Sequence, residues 1–262
     1  MSSIKTTLAF GAALLLGNGL AASAADLGGD TRGSLKDCCA QAQSPARWYF
    51  RLDGGYAVHD TPELREFGVF SISETAIDKT WTLGGGIGLY LTRNVRADIT
   101  YDHRFNADVT GFNRDGNSTF PGKYHFGLKS DVVLANVYYD FIGIHDHFKP
   151  YVGVGLGVTR NTTTDGAIDD IGLSNCGCGS FTASIPGASE THVAAAFMTG
   201  ASLKLRDSLN LDAGYRLLYL GEAHTGQVSG AFSGGSTVTQ ADPVVRDIIG
   251  HEFRVGLRYD FR

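Results

Sequence analysis

The chain runs to 262 residues, with 35 glycines, 15 phenylalanines, 11 tyrosines and 2 tryptophans against only 2 methionines and 6 prolines, and it carries a formal net charge of −5. That acidic balance offers nucleic acid no electrostatic attraction. The glycine and aromatic excess, with no amphipathic helical window, argues against a helical bundle and for β structure.

Taken in order, the chain begins with a secretory signal: Lys5, an apolar run from Thr6 to Leu20, and small residues up to Ala25. Either Ala22-Ser23-Ala24 or Ser23-Ala24-Ala25 fits the small-x-small cleavage rule, so residues 1–25 are expected to be removed. No later segment approaches 18 consecutive apolar residues, which excludes a membrane-spanning helix. Residues 26–47, with Cys38-Cys39, read as a periplasmic leader. From Trp48 onward the sequence alternates. Strands are expected at Trp48–Val58, Thr80–Tyr90, Val95–Phe105, Leu128–Phe141, Tyr151–Thr159, Val193–Leu205, Leu209–Tyr219 and Gly250–Phe261, each with an apolar face opposite a polar or glycine face.

The connections between these segments alternate too. Leu91–Asn94, Ile142–Lys149 and Arg206–Ser208 are short, whereas His59–Lys79, Asn106–Gly127, Arg160–His192 and Leu220–Ile249 are long. Tight turns at one end and long loops at the other are the asymmetry of an outer-membrane barrel. Aromatics agree: Trp48, Phe50, Tyr139, Phe141, Tyr259 and Phe261 mark one end of the outward face, and Trp81, Tyr101, Tyr215 and Tyr219 mark the other. The expected fold is an all-β, eight-stranded, antiparallel up-and-down transmembrane β-barrel spanning 48–262, with both termini periplasmic.

By strand parity the inward charges are Arg51, Arg96, Arg104, Lys204, Arg216, Arg254 and Arg258, against Asp53, Asp98, Asp102, Asp140, Asp212, Glu252 and Asp260. An eight-stranded barrel has room inside for side chains and little else, so balanced charge predicts an ion-pair network plugging the lumen. Arg258 and Asp260 are expected near Arg51 and Asp53. A charge-lined conducting pore is the alternative. The glycine runs Gly84, Gly85, Gly86, Gly88 and Gly153, Gly155, Gly157 lack the helix and lysine of a phosphate loop; their inward members leave space for long arginines. His145-Asp146-His147 offers at most three ligands in a turn, and no metal or cofactor is expected. Asp169, Asp170, His192, His251 and Glu252 lie at unrelated spacings, which makes a catalytic pair the weaker reading.

Residues 253–261, FRVGLRYDF, resemble the terminal strand of small alphaproteobacterial outer-membrane proteins, the surface-antigen and porin-like group allied to the transmembrane domain of outer-membrane protein A. The resemblance implies antigenic surface loops, association with lipopolysaccharide, a part in envelope integrity or host contact, and assembly through the C-terminal strand; some members bind haem. Arg262, after the terminal aromatic, departs from the pattern, as do Cys38-Cys39 and Cys176-Gly-Cys178. No cell-wall-binding domain is expected after the barrel. The leader and loop cysteines are expected on opposite sides of a hydrocarbon slab of ~25 Å, so no bond is expected to join the two pairs within one folded monomer. A local Cys176–Cys178 bridge is favoured, with a vicinal Cys38–Cys39 bond or an interchain bond as the other options. The function expected is non-enzymatic: envelope integrity and surface contact with lipopolysaccharide, host or ligand. The alternatives are a narrow channel and, further off, a lipid-modifying enzyme.

Overall fold

The computed structural model describes residues 47–66, 70–113, 122–143, 147–170, 180–239 and 242–261. The signal, the leader and all four cysteines, including Cys176 and Cys178, lie outside the described residues. The first hairpin region holds β1 (Trp48–His59), β2 (Glu63–Glu66), β3 (Phe70–Ile77) and β4 (Thr80–Tyr90). Then come β5 (Val95–Asn113), β6 (Gly122–Asp140), β7 (Phe148–Thr163), β8 (Gly166–Asp170) and β9 (Phe181–Ile185). The last third contributes β10 (Ser189–Lys204), β11 (Leu209–Tyr219), β12 (Ala223–His224), β13 (Ser229–Phe232), β14 (Thr237–Thr239), β15 (Val244–Arg246) and β16 (Ile249–Asp260).

Eight of these strands close on themselves. β1 pairs with β4 and β16, β16 with β11, β11 with β10, β10 with β7, β7 with β6, β6 with β5, and β5 returns to β4, all antiparallel. Closure leaves no row of unpaired backbone groups facing lipid. At the short-turn end the Phe261 N–H donates to the Trp48 carbonyl at 2.9 Å, tying the end of the last strand to the start of the first. The outward face is exposed and predominantly apolar: Leu52, Leu83, Ile87, Ile99, Val137, Val154, Leu156, Val255 and Leu257 form the middle band. Aromatics bracket it. Trp48, Phe50, Tyr139, Phe141, Phe148, Tyr259 and Phe261 are exposed at the short-turn end, and Trp81, Tyr101, Phe105 and Phe253 toward the other.

Two expectations need correction. Four strands run beyond their expected ends: β5 continues to Asn113, β6 begins at Gly122, β7 covers Phe148–Thr163 and β10 begins at Ser189. The long connections are also not plain loops, because they contain β2, β3, β8, β9, β12, β13, β14 and β15. These short strands extend the barrel wall outward, in the order β6-β8-β9-β13-β14 on one side and β5-β3-β2-β15-β12 on the other. Their inward side chains are apolar. Leu64, Ile72, Val109, Tyr124, Phe126, Ile168, Phe181, Ile185, Phe232, Val245 and Ile248 are buried, in one cluster with the lumenal residues Val132, Leu134 and Met198. Above the membrane, burial therefore follows ordinary core packing rather than the inside-out pattern of the barrel below.

Candidate functional site

The candidate site is the barrel interior. Strand alternation aims every second residue of β1, β5, β11 and β16 inward, and these strands supply nearly all the charge. β4 presents glycines and threonines there, and β6, β7 and β10 present Val132, Leu134, Tyr138, Tyr151, Ala196 and Met198, all buried. The lumen thus has a charged wall and an apolar, aromatic wall.

Near the short-turn end, Arg96 donates from Nε to Asp140 at 3.1 Å. Its guanidinium lies 4.2 Å from the Tyr138 ring centroid and 4.9 Å from that of Tyr151. Arg258 sits 3.3 Å from Asp212 and 3.6 Å from Asp260 and donates to Ser202 at 3.2 Å. Asn210 and Tyr90 donate to the Asp260 carboxylate at 3.0 and 3.2 Å. One level up, Arg51 grips Asp53 with two donors, at 2.8 and 2.7 Å, and reaches Asp98 at 3.3 Å. Asp98 also accepts from Tyr49 at 2.9 Å and from Asn136 at 2.8 Å.

The third level is the densest. Asp102 accepts from Arg216 at 2.6 Å and from Arg254 at 2.5 Å. Glu252 accepts from Arg216 at 2.6 Å and from Arg254 at 3.3 Å, and it also contacts Arg104. Arg104 in turn donates to His59 Nε2 at 2.8 Å. Such multiply held pairs are the form in which buried charge is tolerated, since each partner offsets the desolvation of the other. What space remains among Arg51, Asp53, Tyr138, Asp212 and Arg216 amounts to about 20 Å³, room for about one water molecule.

Several side chains differ from their expected roles. Lys204 lies at the rim rather than in the lumen: it is exposed and pairs with Asp207 in the adjoining turn at 3.1 Å. It is the last residue of β10, where the interior has already opened to solvent. Arg51 and Arg258 do face each other across β1 and β16, but two guanidiniums repel, and each turns to carboxylates on its own strand and beyond. The inward glycines make room chiefly for carboxylates, tyrosines and Asn136. A side chain at Gly84 would run into Asp102, at Gly256 into Asp53 and at Gly88 into Tyr49. The aromatic wall, with Tyr49 and Tyr151, is an addition to the charged set expected from parity; its signal in the sequence is the inward parity of Tyr49 in β1 and Tyr151 in β7.

The residues weighed for catalysis lie apart. Asp169 is 3.3 Å from His125, while His251, on the outward face, contacts Tyr215 at 2.6 Å and Asp60 at 3.0 Å. Glu252 belongs to the lumen. His145 and Asp146 fall outside the described residues.

The chain is similar to several known proteins. A candidate adhesin of Rickettsia prowazekii is 26% identical over 215 residues, covering 81% of this chain and 86% of the relative. An uncharacterised protein of Brucella abortus is 24% identical over 249 residues, covering 83% of this chain and 86% of its own length. Among solved structures, Neisserial surface protein A matches with a TM-score of 0.44 at 19% identity, covering 82% of this chain and 97% of that one. The outer membrane protein OprG of Pseudomonas aeruginosa matches with a TM-score of 0.48 at 17% identity, covering 83% and 97%. The profile of one family, described as outer membrane protein beta-barrel domain, matches residues 10–261. An eight-stranded closed wall with an apolar outside, and a family match over nearly its whole length, make this chain a member of the outer membrane protein β-barrel family, resident in the outer membrane of a Gram-negative bacterium.

Proposed function

We propose that this barrel is a non-enzymatic surface platform: it contributes to envelope integrity and presents its outer strands to lipopolysaccharide and to host or ligand surfaces. The observation that carries this reading is the way the molecule is filled. Ion pairs occupy the lumen within the membrane, and a continuous apolar core occupies the strands outside it. A conduit needs a path, whereas a platform needs rigidity beyond the membrane. Extended β5 and β6, joined by short added strands on both sides, support the second. The Rickettsia prowazekii relative, described as a candidate adhesin, supports host contact in particular.

The test pairs deletion with partial repair. Cells lacking the protein should lose attachment to host-cell surfaces and become more permeable to detergents and large antibiotics. Complementation with a variant whose β13–β14 hairpin is replaced by a short Gly-Ser turn should restore the permeability barrier without attachment. Full attachment by the hairpin-replaced strain would remove that hairpin from the contact surface, and unchanged attachment by the deletion strain would sink the proposal.

A further inference from the structure

Outside the membrane, where the segment after β11 folds back over β7 and β10, five titratable side chains meet that neither the lumen nor the platform reading uses. Glu190 and His192 belong to β10, Glu222 follows β11, His224 lies on β12, and Asp242 precedes β15. The backbone holding them is firmly placed. Asn161 of β7 donates to the carbonyls of Leu220 and Glu222 at 2.8 and 2.7 Å, and Thr163 donates to the His224 carbonyl at 2.9 Å. Gly221 adopts φ +69°, and a side chain there would meet His192 Cβ at 2.7 Å, so the chain turns directly against that imidazole.

The chemistry of the cluster asks for a cation. His224 Nδ1 lies 3.1 Å from the Asp242 carboxylate. A carboxylate only accepts, so in this contact Nδ1 carries the proton, and Nε2 is the nitrogen whose lone pair a metal ion would take. That lone pair faces Glu190 Oε2 at 3.6 Å and Glu222 Oε2 at 3.7 Å. His192 Nε2 is buried, makes no hydrogen bond, and lies 3.5 Å from the same Glu190 oxygen. Four lone-pair atoms are thus strung together at separations close to the roughly 3.4 Å edge of a tetrahedron with metal–ligand bonds of about 2.1 Å. Among the described residues, Arg246 pairs with Glu222 at 3.3 Å, through the carboxylate oxygen that His224 does not contact.

We propose that Glu190, His192, Glu222 and His224 form a binding site for a divalent transition-metal ion of the zinc class, with Asp242 orienting His224. Two imidazoles and two carboxylates are a donor set suited to such ions. The described residues hold no ready-made group of three metal ligands. The two imidazoles lie parallel with centroids 6.3 Å apart, and rotation of the His192 ring about its side-chain bonds is the movement that completes the set. The ion would staple β10, the outer end of the third long connection, to the fourth, and so stiffen the outer surface.

The experiment uses the full-length tag-free protein folded in detergent, titrated with zinc sulfate against a chromophoric chelator, with cobalt(II) absorption recorded in parallel. The expected result is one zinc per chain. H224Q and E190Q should each weaken it by roughly 100-fold and D242N by about 10–100-fold, while H125Q, at an outer-surface pair, should leave it unchanged. Heat-modifiable gel migration confirms that each variant is folded. The cobalt spectrum of the unaltered protein gives a readout that needs no variant: four-coordinate d–d bands without a thiolate charge-transfer band. Absence of saturable zinc binding, binding that survives H224Q in folded protein, or a thiolate band pointing to the cysteines would each overturn the site.

Discussion

Asp102 and Glu252 together hold the densest level of the lumen: Asp102 holds Arg216 and Arg254, and Glu252 holds both of these and Arg104. Replacing Asp102 with asparagine keeps the shape and removes the charge, leaving Glu252 as the close carboxylate of Arg104, Arg216 and Arg254, with Asp53 3.7 Å from Arg254. Breaking a buried pair in this way costs about 3–5 kcal/mol, and D102N should lose that much in urea titrations of the folded protein in micelles. Arg258→Ala, which strips Asp212 and Asp260 of their shared cation, should cost a similar amount. A loss below about 1 kcal/mol at both positions would mean that water, not arginine, solvates these carboxylates. At this scale the sequence was legible for direction and not for partnership. Parity alone separates Asp102 from Tyr101, but which arginine meets which carboxylate depends on side-chain reach across three or four strands, and Arg51 and Arg258 show how register neighbours of like charge diverge.

Among the elements, β5 shows where sequence reading ends. Through Arg104 its even-numbered residues point inward: Arg96, Asp98, Thr100, Asp102 and Arg104 are buried. A bulge between Arg104 and Ala107 shifts the register against β6, and beyond it the odd-numbered Ala107, Val109 and Asn113 are buried while Asp108 is exposed. An extra residue in one strand inverts its faces, and the alternation that identifies the strand breaks at the same point. This is why the expected strand stops at Phe105. The outer strands are hard to read from sequence for a related reason: they are short, and with no lipid outside them their outward residues are small, polar or charged, such as Arg65, Asp169, Thr182, Ser184 and Ser229, as in a loop. The bulge makes a sharp prediction. Val109→Asp places an unpaired charge in the outer apolar core and should destabilise by more than about 3 kcal/mol, whereas Asp108→Asn should change stability by less than about 0.5 kcal/mol. Equal costs in thermal unfolding would mean that the face is not inverted.

For the whole molecule, the exposed apolar band and its aromatic borders fix the barrel's depth in the membrane. The register sets Leu257 beside Leu52 and Leu211, between the two aromatic borders. Leu257→Arg should therefore cost roughly 2–4 kcal/mol if it lies near the midplane, while Ser233→Arg, in the exposed turn after β13, should be nearly silent; equal effects would refute the outward assignment. The same frame decides conduction, because an ion crossing this barrel meets two obstacles in series. Within the membrane, six arginines interlock with seven carboxylates, and the cavity beside Arg51, Asp53, Asp212, Arg216 and Arg254 measures about 20 Å³. Beyond it, buried Val109, Tyr124, Phe126 and Ile168 form an apolar layer in which an unhydrated ion would be strongly disfavoured. Planar-bilayer recordings of the unaltered protein should show no steady current. An R216A/R254A double variant, in which the charged layer is loosened and the apolar one is intact, should also stay silent. Adding Phe126→Ala and Tyr124→Ala to that variant removes side chains from the second layer and should produce the first discrete conductance steps. A steady current from the unaltered barrel would show that neither layer closes, and current from the double variant alone would show that only the ion pairs do.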